Sequence, residues 1–66
     1  MSKYQTEINE IREQMIADGF EIDFSVAMDT AQAVLFDPEF KKLAKKEFPF
    51  AKTDFQLQEC VANTLA

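Results

Sequence analysis

Apolar positions near the start of the chain fall at Tyr4, Ile8, Ile11 and Met15. Spacings of four, three and four put them within an arc of roughly 60° on a helical wheel, with Arg12 and Ile16 on its flanks. That stripe predicts a helix over residues 3–18. Ser2 followed by Gln5 fits a capping box at its start, and Asp18-Gly19 supplies the glycine that commonly ends a helix. The same spacing resembles a coiled-coil seam, but two heptads are too few to define one, and a core helix is expected.

The period changes after Gly19. Phe20, Ile22 and Phe24 alternate with Glu21 and Asp23, which is the pattern of extended backbone. No second alternating run exists to pair with it. Residues 19–25 are therefore expected to form an extended connector whose aromatics plug the core, with pairing to a second copy as the alternative. Ser25 is expected to cap a second helix over residues 26–36. Val26, Ala27, Thr30, Ala33 and Val34 take one side of it, and Met28, Ala31 and Leu35 the other. A helix apolar on both sides is buried between neighbours or offers one face to another chain, so Met28, Ala31 and Leu35 form the expected homodimer face.

Asp37-Pro38-Glu39 carries three start signals together: an N-cap aspartate, proline in the first turn and a carboxylate at the positive helix end. The third helix then lays Phe40, Leu43, Ala44 and Phe48 on one face and Lys41, Lys42, Lys45 and Lys46 across the other, until Pro49 stops it. Thr53 and Gln56 form another capping box and open a fourth helix whose apolar arc holds Leu57, Cys60, Val61, Thr64 and Leu65. Phe55 points away from that arc and is expected against the Phe48-Pro49-Phe50 corner. The fold class expected is all-α: a compact bundle of four short helices in a single domain of residues 1–66, with an extended connector between helices 1 and 2.

Composition narrows the chemistry. The 66 residues are 47% hydrophobic and 29% charged with a single glycine, the make-up of an ordered globular chain. One cysteine excludes an intrachain disulfide, and one cysteine without histidine excludes ordinary zinc-finger and haem-attachment patterns. The absence of histidine also removes the usual general base near neutral pH, and Cys60 is expected as a packed, unreactive thiol. Carboxylates Glu7, Glu10 and Glu13 fall off the apolar stripe, as a solvated face does. The acidic run from Asp18 to Asp29 lacks the glycine and glutamate that build a calcium loop. No phosphate-binding glycine loop is present either. No enzyme activity, metal or cofactor is expected.

The longest uninterrupted apolar run is Ala33 to Phe36, far short of a membrane span, and MSKYQTEINE has no apolar run of signal-peptide length. The expectation is a cytoplasmic protein with no membrane association.

Charge is unevenly placed along the chain. Residues 1–37 hold two basic residues against eight acids, a balance of −6, whereas residues 38–52 hold five lysines against two glutamates, a balance of +3. Lys41, Lys42, Lys45, Lys46 and Lys52 thus form a candidate basic patch, although the plainer account is a solvated helix face that suits its negative C-terminal end, with Glu39 paired to Lys42. Seven phenylalanines and one tyrosine are more aromatic surface than so small a core easily encloses. Phe48, Phe50 and Phe55 at the proline corner and Phe20 and Phe24 in the connector are therefore candidate partner contacts. These features favour a small acidic module that binds another protein as an inhibitor, adaptor or accessory subunit. Nucleic-acid binding through the lysine face is the second expectation, despite a net charge of −5, and mimicry of DNA by the acidic half the third.

Overall fold

The computed structural model describes residues 2–66, and within them four helices run in the order α1 (Lys3–Ala17), α2 (Phe24–Val34), α3 (Pro38–Glu47) and α4 (Asp54–Leu65). No strand occurs among the described residues, so the all-α expectation holds. The helices pack into a body of 32 × 24 × 18 Å.

Each helix begins at a side chain that accepts a backbone N–H otherwise left without a partner. Ser2 Oγ accepts from Gln5, Asp37 Oδ1 from Glu39 and Thr53 Oγ1 from Gln56, at 3.0–3.1 Å. The reciprocal half of the capping boxes differs from expectation. Gln5 turns to Asn9 instead of back to Ser2, and Gln56 reaches past the cap to accept from the N–H of Lys52 at 2.7 Å.

α1 ends in a Schellman motif: the Phe20 N–H donates to Met15 and the Gly19 N–H to Ile16, both at 3.0 Å. Gly19 sits at φ +89°, the left-handed region in which a β-carbon is disfavoured.

The second helix starts earlier than expected. Asp23, not Ser25, is its cap, accepting from the Val26 N–H at 2.9 Å, so Phe24 becomes the first helical residue. An aspartate cap adds a full negative charge at the positive helix end, which serine lacks. Ile22 at N′ and Ala27 at N4 both turn inward, the two positions of a hydrophobic staple. The connector is shorter than expected, residues 20–23 without helix or strand and Asp23 extended; Ile22 alone of its alternating residues packs on the core, while Phe20 and Phe24 are exposed.

The buried core consists of Tyr4, Ile8, Ala27, Ala31, Phe40, Ala44, Leu57, Val61, Ala62 and Leu65. Four of these ten are alanines, which let the helix axes close up. α2 against α4 is the most extensive pairing, with Ala27 and Ala31 fully enclosed. Ala31 therefore cannot belong to an outward dimer face. Met28 and Leu35 are half-buried against the same core, so the side of α2 expected to meet a second copy is covered largely by α4 of its own chain. Gln58 reinforces that pairing by donating to the Met28 carbonyl at 2.9 Å.

α1 is tied to the far end of α4. The Tyr4 hydroxyl lies 2.7 Å from Thr64 Oγ1. Thr64 Oγ1 also lies 2.7 Å from the Val61 carbonyl, so its hydroxyl bridges Tyr4 and the backbone of its own helix. Arg12 donates from Nε to the Leu65 carbonyl and from Nη2 to that of Thr64, closing the last turn of α4 with a cation. No buried side-chain nitrogen or oxygen among the described residues lacks a partner.

Candidate partner-binding surface

A core of ten residues, four of them alanines that bring the helices close, encloses few of the phenylalanines. Of the seven, only Phe40 is buried and Phe48 half-buried, while Phe20, Phe24, Phe36, Phe50 and Phe55 are 48–81% exposed. Placing a whole phenylalanine in water forgoes roughly 1.5–3 kcal/mol that burial would supply. Five such residues in a domain this small are a costly surface unless another molecule covers part of them.

Four aromatic rings form a chain from the core to the surface. Phe40 packs on Tyr4 at 5.6 Å between centroids, Tyr4 meets Phe48 edge-on at 5.4 Å, and Phe48 meets Phe50 edge-on at 6.0 Å. Edge-to-face contacts at these separations are favourable ring geometries. Burial of Tyr4 pushes its hydroxyl pKa from 10.0 up to about 12, an effect to which the negative charge of Glu47 adds and which the Thr64 hydrogen bond opposes. Phe50, at the end of the chain of rings, is 68% exposed yet fixed by its contact with Phe48.

The backbone around Phe50 is also held. The Phe48 N–H bonds the Ala44 carbonyl at 2.8 Å, the Ala51 N–H returns to the Phe48 carbonyl at 3.1 Å, and the Lys52 N–H is taken by Gln56. The proline corner is thus a fixed platform, which lowers the ordering cost of any contact made on it.

Two open hollows lie beside this corner and share Asp54 and Leu57 as a common wall. One, about 450 Å³, is lined by Lys45, Phe48, Pro49, Ala51, Lys52 and Thr53 in addition. The other, about 260 Å³, is lined by Gln32, Leu35, Phe36, Lys41 and Gln58. Lys41 Nζ and Asp54 Oδ1 are paired at 3.5 Å, and this is the only ion pair among the described residues. Glu39 and Lys42 do not form the expected pair. They rim a third hollow, between α1 and α3, in which Lys3, Glu7 and Asp37 mix the charges above a floor of Ile11, Val34, Phe40 and Leu43.

The five lysines border different hollows: Lys41 the smaller corner hollow, Lys45 and Lys52 the larger one, and Lys42 the hollow between α1 and α3, while Lys46 is exposed one turn beyond Lys42.

Among the expected aromatic contacts, Phe48 and Phe50 do come together, but Phe55 forms no ring contact with them and projects into solvent from the first turn of α4. Phe20 and Phe24 lie apart in sequence from the corner and share their exposure with Ile16, among the acids Asp18, Glu21 and Asp23. Phe36 was not expected at the surface, and it is the most exposed of all at 81%. α2 ends at Val34, and Phe36 lies in the turn before Asp37-Pro38, where the proline disfavours helical backbone in the residue preceding it.

Cys60 is half-buried on α4. The described residues hold no cluster of three or more metal-ligating side chains, and none of their helices is long and apolar enough to cross a membrane. Compared with known proteins, the chain matches no family model, no curated protein and no solved structure.

Proposed function

We propose that this chain is a non-catalytic module that binds another protein through the aromatic face at its α3–α4 corner. The observation that carries this reading is Phe50: a large apolar side chain 68% exposed, held by an edge contact to Phe48 on a hydrogen-bonded turn. Binding energy at protein interfaces concentrates in a few well-supported large side chains, and pre-ordering them removes an entropic cost of association. Phe36 borders the smaller hollow, which shares Asp54 and Leu57 with the larger one, and offers a second exposed aromatic. An inhibitor, adaptor or accessory subunit is the role such a surface suits.

The test is affinity capture from cell lysate by the tagged chain, with and without nuclease, alongside Phe50→Ser and Phe36→Ser. The expected result is a defined protein retained after nuclease treatment and lost with Phe50→Ser. Capture that disappears with nuclease, or that is indifferent to both substitutions, would overturn the proposal.

A further inference from the structure

We infer that the larger corner hollow receives an acidic polypeptide segment carrying a large apolar side chain, which deepens, and rests on, the protein-binding reading above. The lining of this hollow is divided evenly: Phe48, Pro49, Ala51 and Leu57 are apolar, and Lys45, Lys52, Thr53 and Asp54 are polar, with both lysines exposed. Asp54 is the one acid in its wall, and its carboxylate is already engaged by Lys41 at 3.5 Å. Lys45 and Lys52 have no ion-pair partner among the described residues and stand beside the apolar half of the lining. A volume of about 450 Å³ suits a side chain with its flanking backbone, within the range of about 300–1,000 Å³ that ligand pockets span. Carboxylates flanking that side chain would meet the two lysines, and such complementarity sets register and partner choice.

The same features favour a polypeptide over a nucleic acid. The corner has lysines but no arginine, and so lacks the planar fork that reads bases and grips phosphates in pairs. The chain carries −5 overall and −6 over residues 1–37, so a polyphosphate long enough to leave the corner meets repulsion on a body only 32 Å in its longest dimension. The apolar half of the lining, Phe48, Pro49, Ala51 and Leu57, adds nothing for a phosphate, whereas it accommodates a leucine or phenylalanine side chain.

The test is fluorescence anisotropy with a short labelled peptide of alternating aspartate and phenylalanine, its asparagine-for-aspartate counterpart, and a single-stranded DNA of matched length. The intact chain should bind the acidic peptide about tenfold more tightly than the amide peptide or the DNA. The pair Lys45→Gln and Lys52→Gln should weaken acidic-peptide binding about tenfold, while Lys42→Gln with Lys46→Gln should change it less than about twofold. Equal binding of the acidic and amide peptides, equal effects of the two lysine pairs, or tighter binding of the DNA would each overturn the inference. Should the peptide result fail while Phe50→Ser still abolishes capture of a protein, the acidic-segment assignment falls and the binding-module reading stands. Loss of Phe50-dependent capture itself removes that reading.

Discussion

Arg12 in α1 donates through Nε to the carbonyl of Leu65 in the last turn of α4, at 3.2 Å and across 53 positions of sequence. With its second bond, to the Thr64 carbonyl, the guanidinium closes a helix end that has no basic residue of its own in its last turn. Arg12→Ala should therefore destabilise the fold by about 2 kcal/mol, combining charge-assisted hydrogen bonds with the helix-dipole contribution. Arg12→Lys should restore only part of this, since an ammonium keeps the charge but not the fork. Urea denaturation of the three proteins checks the order.

The Tyr4 hydroxyl gives the fold a pH limit on the alkaline side. Its pKa is raised from 10.0 to about 12 in the folded chain, chiefly by burial, so the folded state holds this proton more tightly than the unfolded state does. The associated stability is complete below pH 10 and is lost as pH rises through about 12. For this 2%-exposed ring the loss amounts to about 2–3 kcal/mol. Tyr4→Phe should cost about 1 kcal/mol at neutral pH, because Thr64 keeps Val61 as its acceptor, and should abolish this part of the alkaline decline. Denaturation curves of both proteins between pH 9 and about 12 read out the difference.

Gly19 is constrained by its backbone alone. At φ +89° it completes the Schellman turn, and an added β-carbon would meet nothing within 4 Å. Gly19→Ala should cost about 1–2 kcal/mol, all of it conformational, and Gly19→Asn less, since asparagine tolerates the left-handed region. Equal losses for the two in urea melts would contradict a purely backbone origin.

The start of α2 offers a paired test. Asp23→Ala should cost about 1 kcal/mol, whereas Ser25→Ala should stay within about 0.5 kcal/mol. The reverse order would return the cap to Ser25.

That helix also shows where sequence reasoning reaches its limit. Asp37-Pro38 and Thr53 were legible because each signal is local: a side chain finds an N–H two or three residues away. Around α2 two good caps stand two residues apart, and the decision falls to Asp23 together with the inward packing of Ile22 and Ala27, which depends on where α4 lies. Packing against α4 encloses Ala31, and the end of the helix at Val34 leaves Phe36 exposed in the following turn.

The lysines of the candidate site were legible as residues, but not their division. Periodicity places the four lysines of α3 away from Phe40 and Ala44 and is silent on Lys52. Only the approach of α4, with Asp54 paired to Lys41, sets Lys41, Lys45 and Lys52 beside the corner hollows and leaves Lys42 on the side of α1. The arginine closure of α4 carried no sequence signal, because it joins elements at opposite ends of the chain.

The central claim is that Phe50 is displayed for a partner and does little to hold the fold together. Its most direct test is to measure the Tm of Phe50→Ala beside its retention of the protein captured by the unaltered chain. The expected loss is no more than about 0.5 kcal/mol, roughly 2–4 °C in a domain of this size, with retention abolished. A fall of about 10 °C or more with retention intact would make Phe50 a structural residue and contradict the claim.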